Sequence, residues 1–149
     1  MFLSMNSLLD MANKLKSIDL NNIFDDSVME TKDSLLDENR NQLLSGKAID
    51  GSILGRYTPQ YAKRKAKTKS SNAPFGIYDF KLTGSFQDDM YLSPKPDIIE
   101  VGSIDLKERW LEKYGNGANR VFGLPNGSNY PEQIFKPVFS RRIKEYLNI

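Results

Sequence analysis

The side chains with the widest chemical reach in this sequence are cations. Lys47, Arg56, Lys63, Arg64, Lys65, Lys67, Lys69 and Lys81 fall within residues 47–81, against only Asp50 and Asp79, a net of +6. Contacts to phosphate need lysine and arginine but no exacting geometry, so a segment such as 56–81 has the composition of a nucleic-acid-contacting patch. The same composition fits a solvated helix face, or a patch that meets an acidic neighbour. Residues 1–46 lean the other way, with four basic and eight acidic side chains, a net of −4. The whole chain carries only +2, which selects no partner by itself.

The sequence has neither histidine nor cysteine. That excludes Ser-His-Asp chemistry, thiolate nucleophiles, disulfides and the familiar zinc sites. Remaining enzymatic options rest on carboxylates, lysine, tyrosine or a hard metal held by oxygen. Asp88 and Asp89 are adjacent, so they diverge on a helix or strand and form no dyad by themselves. A metal-dependent enzyme built on Asp88, Asp89 and Glu100 is a third-ranked reading. Glu108 and Glu112 share a helical face, but Lys107 and Lys113 beside them suggest surface charge balance. Gly115-Asn116-Gly117 follows a predicted helix rather than a strand, so a helix stop fits better than a phosphate loop. Asn126-Gly127-Ser128 matches a glycosylation sequon, which matters only in a secreted protein. The residues point to no catalytic set, no metal and no cofactor.

The elements that must position the cations follow from periodicity. At 149 residues the chain suits a single domain, 1–149, with a helical part over 1–46 and an α+β core over 47–149 that includes a basic loop at 63–74. Phe2, Met5, Leu8, Leu9, Ala12 and Leu15 follow helical spacing. Asp19 or Asn21 caps a second helix over about 22–45, with Phe24, Val28, Leu35, Leu36 and Leu43 as its stripe and Gly46 as its stop. Residues 47–56 read as a loop around Asp50-Gly51 and Gly55. Thr58 caps a helix with Pro59 at its first position. That helix dissolves near Lys69, and residues 70–74 read as a flexible connection. Thr83 either caps one helical turn over "GSFQDDM", or Phe86, Met90 and Leu92 alternate on a strand. Ile98 to Val101 is a strand, giving a small antiparallel hairpin near 86–103 that closes at Pro94 to Pro96. A short helix from Leu106 to Tyr114 carries Trp110. The C-terminal helix follows Pro131 and is kinked or restarted at Pro137. The N-terminus lacks the basic start of a secretory signal, and no segment has the apolar length to span a bilayer, so a soluble intracellular product is expected.

Four short motifs occur in a telling order. They are Asp50-Gly51, then Pro59 with Tyr61-Ala62-Lys63, then Leu82-Thr83-Gly84, then Arg120-Val121-Phe122-Gly123-Leu124. This order resembles the tail-completion or virion-morphogenesis neck proteins of tailed bacteriophages, the Mu-like family and its relatives. The match spans roughly residues 40–149. It departs where Phe122 meets Gly123 without the family's intervening leucine, and in the helix around Trp110. The resemblance implies a non-enzymatic structural virion protein of the neck, a head-to-tail connector or tail-completion ring subunit, made in the host cytoplasm. It would self-associate into a homo-oligomeric ring and dock between the portal, adaptor or tail proteins. Non-specific contact with passing DNA is compatible with that role, and membrane association is not expected. Arg56, Lys63, Arg64, Lys65, Lys67 and Lys69 are the candidate docking residues. Arg141, Arg142, Ile143 and Leu147 on the C-terminal helix join them, because Ile143 and Leu147 share a face ringed by charge. Thr83 and Gly84 are expected to form a structural corner. The alternative is a DNA-binding accessory protein that uses residues 56–81.

Overall fold

The structure, a computed structural model, describes residues 5–67, 73–81, 83–95, 98–106, 108–109 and 118–148. The expected hinge at 70–72, Lys69, Leu82, the hairpin tip at Pro96 and most of the helix around Trp110 lie outside them.

The architecture is α+β. Helices α1 (Met5–Ser17), α2 (Leu20–Glu30) and α3 (Lys32–Leu44) come first, followed by α4 (Pro59–Ala66). A single turn, α5 (Ser85–Asp88), leads into the hairpin of β1 (Met90–Lys95) and β2 (Ile98–Ser103). A second single turn, α6 (Ala118–Val121), precedes a π-helical turn over Tyr130–Phe135 and the C-terminal helix α7 (Lys136–Leu147).

Capping chemistry sets most of the boundaries. Asp19 accepts hydrogen bonds from the backbone N–H groups of Asn21 and Asn22, both at 3.1 Å, and so starts α2. Thr58 accepts from the Tyr61 N–H at 3.4 Å, and Pro59 occupies the first turn of α4, where its missing N–H costs nothing. The single helix expected over 22–45 is two helices that meet at Thr31. The Thr31 hydroxyl reaches back to the Ser27 carbonyl at 2.8 Å and is also 2.7 Å from the Tyr130 hydroxyl. A side chain that bonds its own helix this way bends it, and Tyr130 holds the bend. At the far end, Pro137 lies in the first turn of α7 because it cannot donate within a helix. The residues before it are widened into the π turn.

The hairpin is antiparallel, with Met90 opposite Ser103 and Lys95 opposite Ile98. Of the two sequence readings of residues 83–92, the helical turn is the one adopted, and the strand begins after it. Val28, Leu35, Leu36 and Leu43 from the helical part pack with Leu54, Phe86, Met90, Leu92, Val121 and Phe122 in one core. Phe24 also belongs to the predicted stripe, but it stays partly exposed and packs edge-on against Phe135 at 5.2 Å between ring centroids. Among the described residues, no helix is long and apolar enough to cross a membrane.

Candidate docking surface

Residues 55–57 and 76–78 run antiparallel beside each other. Tyr57 N–H donates to Gly76 O at 2.8 Å, Tyr78 N–H donates to Gly55 O at 2.9 Å, and Arg56 bridges to Ile77. Helix α4 grows out of this stitch. Its inner face is Ala62 and Lys65, both buried, and its outer face presents Lys63, Arg64 and Lys67 to solvent. Ala62 and Lys65 are three apart, which places them on one side of a helix. The five clustered cations are therefore not equivalent.

Lys65 is a structural residue, which the charge pattern alone did not indicate. Its ammonium is 2.7 Å from Asp79 Oδ1, with side-chain exposures of 8% for Lys65 and 0% for Asp79. It also donates to the Lys81 carbonyl and stands 5.4 Å from the centre of the Tyr57 ring. Asp79 Oδ1 further accepts from the Tyr57 hydroxyl and the Lys81 N–H, each at 3.1 Å. Burial, reinforced by the Asp79 carboxylate, pushes the Tyr57 phenol above its ordinary value, so Tyr57 keeps its proton and donates it. The neighbouring Phe80 has a left-handed φ of 54°, a costly conformation for a bulky side chain. This turn carries the chain sharply past Asp79. Asp79 was missed at the sequence level. The available signal was that it is one of two acids among eight bases, facing the only lysine on the inner side of α4.

The same network reaches the Thr-Gly corner. Gln87 on α5 donates through Nε2 to the Asp79 backbone carbonyl at 2.8 Å, and its backbone carbonyl accepts from Arg40 of α3 at 2.9 Å. Gly84 has φ +106 and serves as the N-cap of α5, so this cap position demands glycine. Thr83, expected to cap, sits one residue earlier, and its hydroxyl accepts from the Ser85 N–H at 3.3 Å. Among the described residues, the buried oxygens Asp79 Oδ2 and Gln87 Oε1 have no hydrogen-bond partner. A row of rings joins the helix to the core: Tyr61 to Tyr57 (4.9 Å between centroids), Tyr57 to Tyr78 (4.7 Å), Tyr78 to Phe80 (6.2 Å), Phe80 to Phe86 (5.3 Å) and Phe86 to Phe122 (5.9 Å).

Phe122 belongs to the fourth motif, which is fastened to the first. The Arg120 guanidinium donates to Ser52 Oγ at 2.9 Å and to the Ile53 carbonyl at 3.3 Å, beside the Asp50-Gly51 turn. Ile49 N–H donates to the Arg120 carbonyl at 3.0 Å. Buried Asn39 of α3 then donates to the Val121 carbonyl at 2.8 Å and accepts from Gly123 N–H at 3.4 Å. The described residues of the four motifs are thus linked to one another and to α3 through Tyr57, Asp79, Phe86 and Gln87 beside them.

The C-terminal candidates lie on a different face and are largely engaged within the chain. Leu147 is 7% exposed, and Ile143 is half-buried. Arg141 pairs with Glu30 and, at 2.9 Å, with Glu145. Arg142 pairs with Glu30 at 2.8 Å and Asp26 at 3.3 Å. The Arg141 hydrogen bond is the main reason the Glu30 carboxyl is held below its usual range. Asp26 and Glu30 of α2 thus meet Arg141 and Arg142 of α7 inside one molecule. Among the described residues, no group of three or more acidic side chains is placed to hold a metal ion, and Asp88, Asp89 and Glu100 do not converge. No family model, curated protein or solved structure matches the chain.

Proposed function

We propose that this chain is a structural subunit of a tailed-phage neck, a connector or tail-completion ring that seats between the portal and the tail. The observation that carries the reading is the convergence of the four motifs. They are scattered over residues 50–124, yet hydrogen bonds and stacked rings join them into one body against α3. Their residues serve as a turn, a helix start, a left-handed corner and a core ring. Such residues build a rigid platform, which suits a protein that acts by holding position. The outer face of α4 is carried on that platform and stays open to solvent. Oligomers of one chain close by symmetry, and a ring of identical platforms is the arrangement that fits a channel.

The test combines native mass spectrometry of the purified chain with electron microscopy of the particle that contains it. A closed ring with several copies at the head–tail junction is the expected result. A chain that occurs once per particle, or only in infected-cell extract and never in virions, overturns the reading.

A further inference from the structure

We infer that the outer face of α4, with Arg56 beside it, binds the phosphate backbone of duplex DNA. Arg56, Lys63, Arg64 and Lys67 are exposed. None of the four is within ion-pair distance of a carboxylate among the described residues. Only Arg64 has a partner, the Tyr61 ring, with its guanidinium carbon 4.8 Å from the ring centre.

An acidic face on another copy of the chain is the obvious competing partner, and the structure weakens it. Asp26 and Glu30 are engaged by Arg142 and Arg141, Asp37 by Arg40, and Asp79 by Lys65. Of the six acids in residues 25–38, Asp25, Asp33 and Glu38 lie outside ion pairs among the described residues, three against four exposed cations, and Glu38 already accepts from Ser128. Duplex DNA supplies what the face lacks, a dense and sequence-independent array of anions. The shape of the face favours duplex over single strands. Tyr57 meets Tyr61 at a tilt and Tyr78 edge-on, all three half-buried, instead of standing open as platforms for bases. Lys63 and Lys67 are four residues apart on one side of the helix, so they can follow a backbone together. The buried Lys65–Asp79 pair fixes the helix beneath them, which limits the ordering cost on binding. The inference stands on this geometry and does not require the neck assignment.

The test uses the full chain and a short fluorescent duplex of mixed sequence, followed by anisotropy across a salt series. The expected result is binding at low salt that weakens along a log–log slope of about −3 to −4, as four phosphate contacts require. A variant carrying Arg56→Gln, Lys63→Gln, Arg64→Gln and Lys67→Gln should lose at least about tenfold in affinity and flatten that slope. Its melting temperature should stay near the parent's, because the replaced groups contact no core. No binding by the parent at low salt overturns the inference, as does undiminished binding by the variant. Tighter binding to a single strand, abolished by Phe75→Ala at an exposed ring, overturns it in favour of base stacking. Duplex binding by a chain that forms no ring upholds the inference and removes the neck reading instead.

Discussion

Lys63, Lys65 and Lys67 alternate along one short helix, yet only Lys65 is withdrawn from water. Its partner Asp79 is completely buried. Removing one member of such a pair leaves an unmatched charge in the interior, which typically costs about 3–5 kcal/mol. Lys65→Met is therefore expected to lower stability by about that amount in urea unfolding, whereas Lys63→Met should change it by less than about 0.5 kcal/mol. The double variant Lys65→Met, Asp79→Leu should recover much of the loss. Equal effects at positions 63 and 65 would remove the distinction between them. Sequence inspection saw five equal cations here, because charge pattern carries no information about which face of a helix meets a distant acid. The identity of Thr58 and Pro59 as a helix start was legible, since a cap acts within three residues. The role of Asp79 was not, since it depends on the left-handed turn at Phe80 and on a lysine fourteen positions earlier.

Elements separated along the chain show the same division between local and distant causes. Asp19, Thr58, the strand over Ile98 to Val101 and the restart at Pro137 were readable, because each depends on neighbours in sequence. The break at Thr31 was not, because its anchor is the hydroxyl of Tyr130. The C-terminal helix illustrates the hazard of reading a stripe in isolation. Ile143 and Leu147 share a face, and that pattern describes a docking helix and a core helix equally well. Contacts decide between them: Leu147 is buried, and the Lys14 ammonium is within 3.5 Å of its carbonyl. Leu147→Ala is expected to destabilise the monomer by about 2 kcal/mol, the lower end for a buried leucine because it lies at a helix terminus. Truncation after Ser140 should cost more, since it also releases Glu30 and Asp26 from their arginines. A truncated protein that melts with the parent would return this helix to the docking surface.

Across the whole molecule, the opposed charges of residues 1–46 and 47–81 fit a basic patch that meets an acidic neighbour. The folded chain distributes them otherwise. Asp26 and Glu30 of α2 are answered by the arginines of α7 and Lys65 of α4 by Asp79, while the outer cations of α4 have no carboxylate partner among the described residues. Exposed pairs of that kind add little stability each, but they remove the acids from competition for the basic face. The tie between residues 55–57 and 76–78 has one more consequence, and it concerns covalent continuity. Lys67 is exposed at the C-terminal cap of α4, and the bond that follows it is a trypsin site. Upstream of that bond, Tyr57 and Lys65 hold the protein body through Gly76, Asp79 and Lys81; downstream, the chain re-enters through those same partners. The peptide link between the two sides is therefore dispensable once folding is complete. A brief tryptic digest should yield two fragments on a denaturing gel that still elute together as one native-sized particle. Fragments that part without denaturant would mean that the stitch cannot replace the chain it bridges.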